Sequence, residues 1–252
     1  MHRRDLAALL DAWLQPARFT DFAENGLQVE GRDEVHVVVT GVTANRALIE
    51  AALVRNADAI VVHHGLVWGG IKRLDGWLRQ RVRLLLQHDV NLFAYHLPLD
   101  AHPALGNNAG LARALGVVDT APFGRVKGVP VGVRGTLSPQ ASLSGLVERA
   151  RKNVVGEDGV IHAFGDPKRT LCTIGVCSGG APDLLHEAIG EGLDVYVTGE
   201  VTEYCKAVAE ESGTAFVAVG HHASERFGAR SIAEALTAHG LAATFVDVDN
   251  PA

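Results

Sequence analysis

Apolar positions along the chain follow two alternating rhythms. Leu6, Leu9, Leu10, Trp13 and Leu14 fall at helical spacing and predict an amphipathic first helix. Short β-branched runs then alternate with helical patterns. EVHVVVTGV (34–42), ADAIVVHH (57–64) and NLFAYHL (91–97) read as strands. Helices are predicted over 45–54, near 75–88 and over 107–115, the last with Gly116 as a left-handed stop. Strand followed by helix, repeated, predicts mainly parallel pairing with covering helices.

The middle of the chain is different. GRVKGVPVGVRGTLS (124–138) is glycine-rich and reads as a strand flanked by turns. A helix is predicted over 142–152, and HAFG (162–165) and RTLCTIGVC (169–177) read as strands around the turn Gly165–Asp166–Pro167. The first rhythm then returns. A helix over 182–189, the strand DVYVTG (194–199), a helix over 202–211 capped by Thr202 and the strand TAFVAVGHH (214–222) follow one another. A helix over 224–239 capped by Ser224 and the strand AATFVDV (242–248) complete the pattern. The expectation is an α/β protein of two similar α/β domains, residues 1–125 and 126–252, with mainly parallel or mixed sheets covered by helices. No sequence repeat links the two halves.

Composition narrows the class. Of 252 residues, 47% are hydrophobic and 21% charged, the profile of a globular chain that fills its core without staples. The formal charge of −6 gives no global attraction to nucleic acid or anionic membranes. Arg79, Arg81 and Arg83 alternate and would spread around a solvated helix face. The three cysteines, Cys172, Cys177 and Cys205, form no Cys-x-x-Cys motif and fit small buried hydrophobes in a reducing compartment. Asp5 and Asp11 interrupt the apolar N-terminal stretch, which argues against a signal peptide, and no apolar run reaches membrane-spanning length. The location expected is cytoplasmic.

The chemistry-bearing residues lie after strands. His63 and His64 end one strand, Asp100 follows another, and His221 ends a third, with Glu225 four residues on. In parallel α/β sheets ligands gather at the carboxyl ends of strands. His221 and Glu225 share one face if their junction is helical. Adjacent histidines in a regular strand point to opposite faces, so His63 and His64 serve one site only if the chain bends there, which Gly65 permits. Three imidazoles and two carboxylates exceed what one open catalytic zinc takes and suit two metals bridged by a carboxylate and water. Nitrogen and oxygen donors without thiolate suit Zn, Mn, Fe, Co or Ni. A single metal on two histidines and one carboxylate satisfies the same residue types. His96, His102 and His222 are further candidates, for supporting or substrate contacts. The other histidines have no such context. No Walker-type, dinucleotide-binding or Gly-x-Ser-x-Gly motif occurs. Gly179–Gly180, between a strand and a helix, reads as a turn.

HHG (63–65), YHLPLDAHPALGNNAGLARALG (95–116), DVYVTGE (194–200) and GHHASER (220–226), in this order, resemble the GTP cyclohydrolase type 2 homologue family. These are also known as Nif-three-like dinuclear metal centre proteins. The likeness runs from NGLQVEG (25–31) to the C-terminal helix. It implies metal ligation by His63, His64, Asp100, His221 and Glu225, with Glu225 bridging. It further implies the Nif-three-like fold of two related α/β domains and a ring-shaped homohexamer. Many members have proline where this chain has Gly65, and Asp-Asn-x-Gly-Leu where it has Ala23, Glu24 and Asn25 before Gly26 and Leu27. The domain that longer members insert between the halves is missing.

The activity expected is that of a metal-dependent hydrolase on a small molecule such as a nucleotide. In the reaction the family name implies, hydroxide attacks and opens the purine ring of GTP. Two divalent metal ions would generate that hydroxide near neutral pH, and His96 and His102 would shuttle protons. The alternatives are a non-catalytic metal-binding hexameric scaffold or regulator, and a phosphoesterase or nuclease. The last would turn on where Lys72, Arg73, Lys206 and Arg226 lie.

Overall fold

The strand–helix alternation is realised as two mixed sheets in a computed structural model, which describes residues 1–70 and 73–252. The order begins α1 (Arg3–Leu14), β1 (Gly26–Val29), β2 (Val37–Thr43), α2 (Arg46–Val54), β3 (Ala59–His64), α3 (Gly76–Gln87), β4 (Asn91–Ala94) and α4 (Leu97–Ala101). It continues with α5 (Asn107–Ala114), β5 (Val117–Val126), β6 (Val129–Ser142), α6 (Leu143–Ala150), β7 (His162–Phe164) and β8 (Thr170–Cys177). Next are α7 (Leu185–Gly190), β9 (Val195–Thr198), α8 (Cys205–Ser212), β10 (Ala215–Ala218), α9 (His221–Ser224), α10 (Arg226–Ala238) and β11 (Ala242–Phe245). No helix among the described residues is long and apolar enough to cross a membrane.

Residues 1–99 and 228–249 form one compact unit, and residues 100–227 and 250–252 a second. This partition differs from the expected division at 125/126, which falls inside β5. The physical reason is the last strand. β11 pairs in parallel with β2, Ala242 opposite Val37, so the C-terminal helix–strand segment joins the first sheet.

In the first unit the sheet order is β1-β4-β3-β2-β11, with β1 antiparallel and the others parallel. Ile60, Val62 and Leu92 from the strands pack with Leu48, Ile49 and Ala52 of α2. Asn45 caps α2 by accepting the Leu48 N–H. Buried Asp58 accepts the amides of His36 and Val37 and pairs with Arg32, tying the start of β2 to β3. In the second unit the order is β5-β6-β8-β9-β10-β7, and β8, β9 and β10 run parallel. Asp194 repeats the device. It accepts the amides of Cys172 and Thr173 and pairs with Arg169. Each device fixes a strand so that its carboxyl end delivers the residues described below.

Several local expectations are corrected. The single strand expected at 124–138 is the second arm of a hairpin, β5–β6, closed by Lys127 and Gly128 at positive φ, a two-residue turn. β4 stops at Ala94 because α4 starts at Leu97, where Pro98 sits in the first turn and needs no N–H. Thr202 is not the side-chain cap of α8, which starts at Cys205; the Thr202 carbonyl accepts the Cys205 N–H instead. Ser224 is not the cap of a long helix either. Gly220, at φ +89°, turns the chain into α9 already at His221, so Ser224 lies within that short helix.

Candidate metal centre

The first unit brings three imidazoles together. His63 and His64 end β3, and His96 follows β4, its parallel neighbour. One ring nitrogen of each lies within 4.8 Å of those of the other two. The His63 and His64 rings stand 4.5 Å apart although the residues are adjacent in a strand. The bend after them does not come from a left-handed Gly65. A Cβ there would lie 2.2 Å from Gln28 Oε1 and 2.6 Å from the Ala94 side chain, so glycine is required by close approach. Gln28 Oε1 accepts the amides of Leu66 and Val67 and holds the turn.

The nitrogens on the other side of these rings are engaged. His63 is fully buried, and its Nδ1 donates to the Tyr95 carbonyl at 3.0 Å, which fixes the proton on Nδ1 and the lone pair on Nε2. His64 Nδ1 bonds Thr43 Oγ1 at 3.2 Å. His96 Nδ1 pairs with Asp21 Oδ1 at 2.8 Å. Burial alone would raise the Asp21 pKa; the hydrogen bonds from His96 and Asn25 and the His96 charge overturn that and hold it far below the usual range. Asn25 closes the network by accepting the His96 amide. His96 thus sits among the donors themselves rather than outside them.

The second unit supplies carboxylates and one imidazole. Glu225 follows α9, and the helical turn brings His221 Nε2 to 3.2 Å from its Oε1, as the four-residue spacing predicted. His221 Nδ1 pairs with Glu200 Oε1 at 2.6 Å. Burial lowers the His221 pKa, but the hydrogen bond and charge of Glu225, then of Glu200, outweigh it and raise it to about 9. Glu225 is 2% exposed and Asp100 7%. One oxygen of each lies within 4.8 Å of the other. Asp100 Oδ1 accepts from Asn107 and from the Ser178 hydroxyl, and Asn108 ties the Asp100 carbonyl to the Ser178 amide.

Gly179 makes room for Glu225. It has φ +67°, and a Cβ there would lie 2.3 Å from Glu225 Oε1. Its amide donates to Ser224 Oγ, and its carbonyl accepts the Gly199 and Glu200 amides. The Gly179–Gly180 turn is therefore part of the carboxylate site's wall.

His102 and His222 stand in none of these donor groups among the described residues. His102 Nδ1 accepts the Ala104 and Leu105 amides, and burial lowers its pKa; it closes a turn and belongs to no donor cluster among the described residues. His222 is buried, and its amide donates to the Ala252 carbonyl. Lys206 is exposed on α8, Arg226 donates to the Val154 carbonyl, and Arg73 is exposed. Lys72 lies outside the described residues.

The donor sets fit divalent metal ions. Imidazoles oriented through Nδ1 to a carbonyl or carboxylate are the usual arrangement of metal-binding histidines. Two buried carboxylates this close repel one another unless a cation or proton lies near. Both sets, all nitrogen and oxygen, match the borderline transition metals. Sequence alone did not mark Asp21, Thr43, Ser178 or Glu200. Asn107–Asn108 and Glu200 lie within the motifs, but nothing in their spacing gave them a role.

Comparison with known proteins agrees over the whole length. The model of the Duf34/NIF3 (NGG1p interacting factor 3) family matches residues 1–251. A Neisseria meningitidis protein named GTP cyclohydrolase 1 type 2 homolog is 43% identical over 254 residues, covering 99% of each chain. A Vibrio cholerae protein of the same name is 42% identical, covering 100% of each. Among solved structures, the protein ybgI, described as of unknown function, superposes with a TM-score of 0.93 at 38% identity, covering 100% of both chains. A Thermus thermophilus protein superposes with a TM-score of 0.90 at 34% identity, again over 100% of both. With the strand-end histidines and the His221–Glu225 turn placed as described, the chain belongs to the Duf34/NIF3 family.

Proposed function

We propose that the chain is a dinuclear metal-dependent hydrolase. His63, His64, Asp100, His221 and Glu225 would hold two divalent ions of the Zn, Mn, Fe, Co or Ni class. The observation that carries the proposal is the pair of donor sets. Three imidazoles meet within 4.8 Å in one unit, and a buried carboxylate pair with His221 lies in the other. Bound there, the ions would supply Lewis-acid chemistry, polarising a substrate oxygen and lowering the pKa of water to near neutrality. The substrate class suggested by the relatives' name is a purine nucleotide, attacked at its ring.

The chain's own residues have definite parts. Asn107 and Ser178 aim Asp100 through Oδ1. Glu200 aims His221, and Tyr95 aims His63. Asp21 orients His96 through Nδ1, and a proton passed to or from substrate by His96 would travel through Nε2. His102, with Nδ1 given to backbone amides, exchanges only at Nε2. Assembly as a homohexamer is part of the proposal and rests on the family resemblance; a cytoplasmic location is also proposed, from the sparse cysteines and the interrupted N-terminal stretch. A second reading, a non-catalytic metal-binding scaffold, is favoured by the family's description as an interacting factor.

The test is turnover of GTP and a phosphoester panel by metal-refilled protein. Wild-type turnover that Glu225→Gln abolishes, with assembly kept, supports the hydrolase. Turnover equal in wild type, His64→Ala and Glu225→Gln overturns it. No turnover at all, with assembly lost in the metal-free protein, selects the scaffold.

A further inference from the structure

Beside the imidazole cluster, two chain segments form a short strap. Ala23 and Trp68 make an antiparallel bridge, the Glu24 amide donates to the Val67 carbonyl, and the Gly69 amide donates to the Phe22 carbonyl. The strap displays two large aromatic rings, Phe22 at 67% exposure and Trp68 at 41%. Trp68 is not exposed for want of a hydrogen bond. Its Nε1 donates to the Gly65 carbonyl at 3.1 Å, which pins the indole in one orientation. The ring lies T-shaped to His96 at 5.1 Å and tilted to His64 at 5.8 Å.

Two exposed aromatic rings on one strap, beside the polar donors of the imidazole cluster, make a surface suited to binding. Its chemistry is selective. The charged side chains within residues 21–24 and 66–70 are Asp21 and Glu24. A flat ring suits the strap. Base–aromatic stacking needs a π face and no particular hydrogen-bond pattern.

We infer that Trp68 is the stacking platform for a planar heteroaromatic ring, a nucleobase, held against the His64–His96 side of the imidazole cluster. This deepens the proposed hydrolase and rests on that reading for the relevance of the ring to turnover.

Calorimetric titration of the metal-refilled full chain with guanosine 5′-monophosphate tests it, with ribose 5-phosphate as the ring-free probe. The wild type should bind the nucleotide and not ribose 5-phosphate. Trp68→Leu should weaken nucleotide binding by about tenfold or more. Trp68→Phe, which keeps a ring, should recover most of it. Metal content is measured on each variant and should not change. Equal nucleotide binding by wild type and Trp68→Leu overturns the inference, as does a wild type that binds both probes alike or neither. A change of assembly in Trp68→Leu without a change in nucleotide binding also overturns it and makes the strap a contact between copies. Failure here with Glu225-dependent turnover intact leaves the hydrolase standing. Loss of metal from every variant and from wild type counts against the hydrolase instead.

Discussion

Alanine at Gly179 would place a methyl group where the Glu225 carboxylate now sits. Two costs follow. The backbone there has φ +67°, and an L-residue in that region costs about 1–2 kcal/mol. The new Cβ would lie 2.3 Å from Glu225 Oε1 and 3.3 Å from His221 Nε2, so the carboxylate must leave its contact with His221. Breaking that charge-assisted bond, with the Glu225 side chain only 3% exposed, adds about 1.5–3 kcal/mol. Gly192 provides a matched control, with φ +68° and nothing within 4 Å of an added Cβ. Gly192→Ala should therefore carry the backbone cost alone. Thermal unfolding of both variants should show Gly179→Ala the less stable by roughly 2 kcal/mol, several degrees in Tm for a protein of this size. Metal content should fall in Gly179→Ala and stay at the wild-type level in Gly192→Ala. Equal stability and equal metal content in the two variants would refute the idea that Gly179 exists to seat Glu225.

Further outcomes are expected. His221, raised to about 9 by Glu225 and Glu200, contributes stability to the metal-free protein that is complete below its ordinary value of 6.5 and is lost as pH rises through about 9. The denaturation midpoint of metal-free wild type should fall over that window, and the fall should be much smaller in His221→Gln. Metal must displace the same proton, so apparent metal affinity should rise with pH up to about 9, with about one proton released from His221, read by calorimetry in buffers of different ionisation enthalpy. Asn108 is 1% exposed and bonds the Ser178 amide and the Asp100 and Val131 carbonyls. Asn108→Leu should lose about 1–3 kcal/mol in denaturant unfolding by orphaning those groups; a loss under 0.5 kcal/mol, roughly the spread of neutral surface changes, would show the network to be dispensable.

The ligand-bearing positions were legible because they combine residue type with strand ends. His63–His64 closes an apolar run, and His221–Glu225 has the spacing of one helical turn, which α9 supplies. The error over Ser224 has the same origin. A serine before a helical pattern looks like a cap, but Gly220 had already turned the chain, and the hydroxyl serves Gly179 instead. Asp21 was invisible because it meets His96 across 75 residues of chain, and no periodicity records such a pair. β1 and β5 escaped for another reason. GLQV is short, and VVDTAPFGRV carries aspartate, proline and glycine, so neither shows clean alternation. The partner of β11 was equally hidden, since an apolar run marks a strand but not the sheet edge to which it returns.

Whether the chain holds a two-metal centre is decided by metal stoichiometry. Untagged protein, refilled with Zn, Mn or Fe and freed of excess, is assayed by mass spectrometry beside His221→Ala. Close to two ions per wild-type chain are expected, and a reduced number in the variant. Zero or one ion per wild-type chain after refilling, or an unchanged number in His221→Ala, would contradict it.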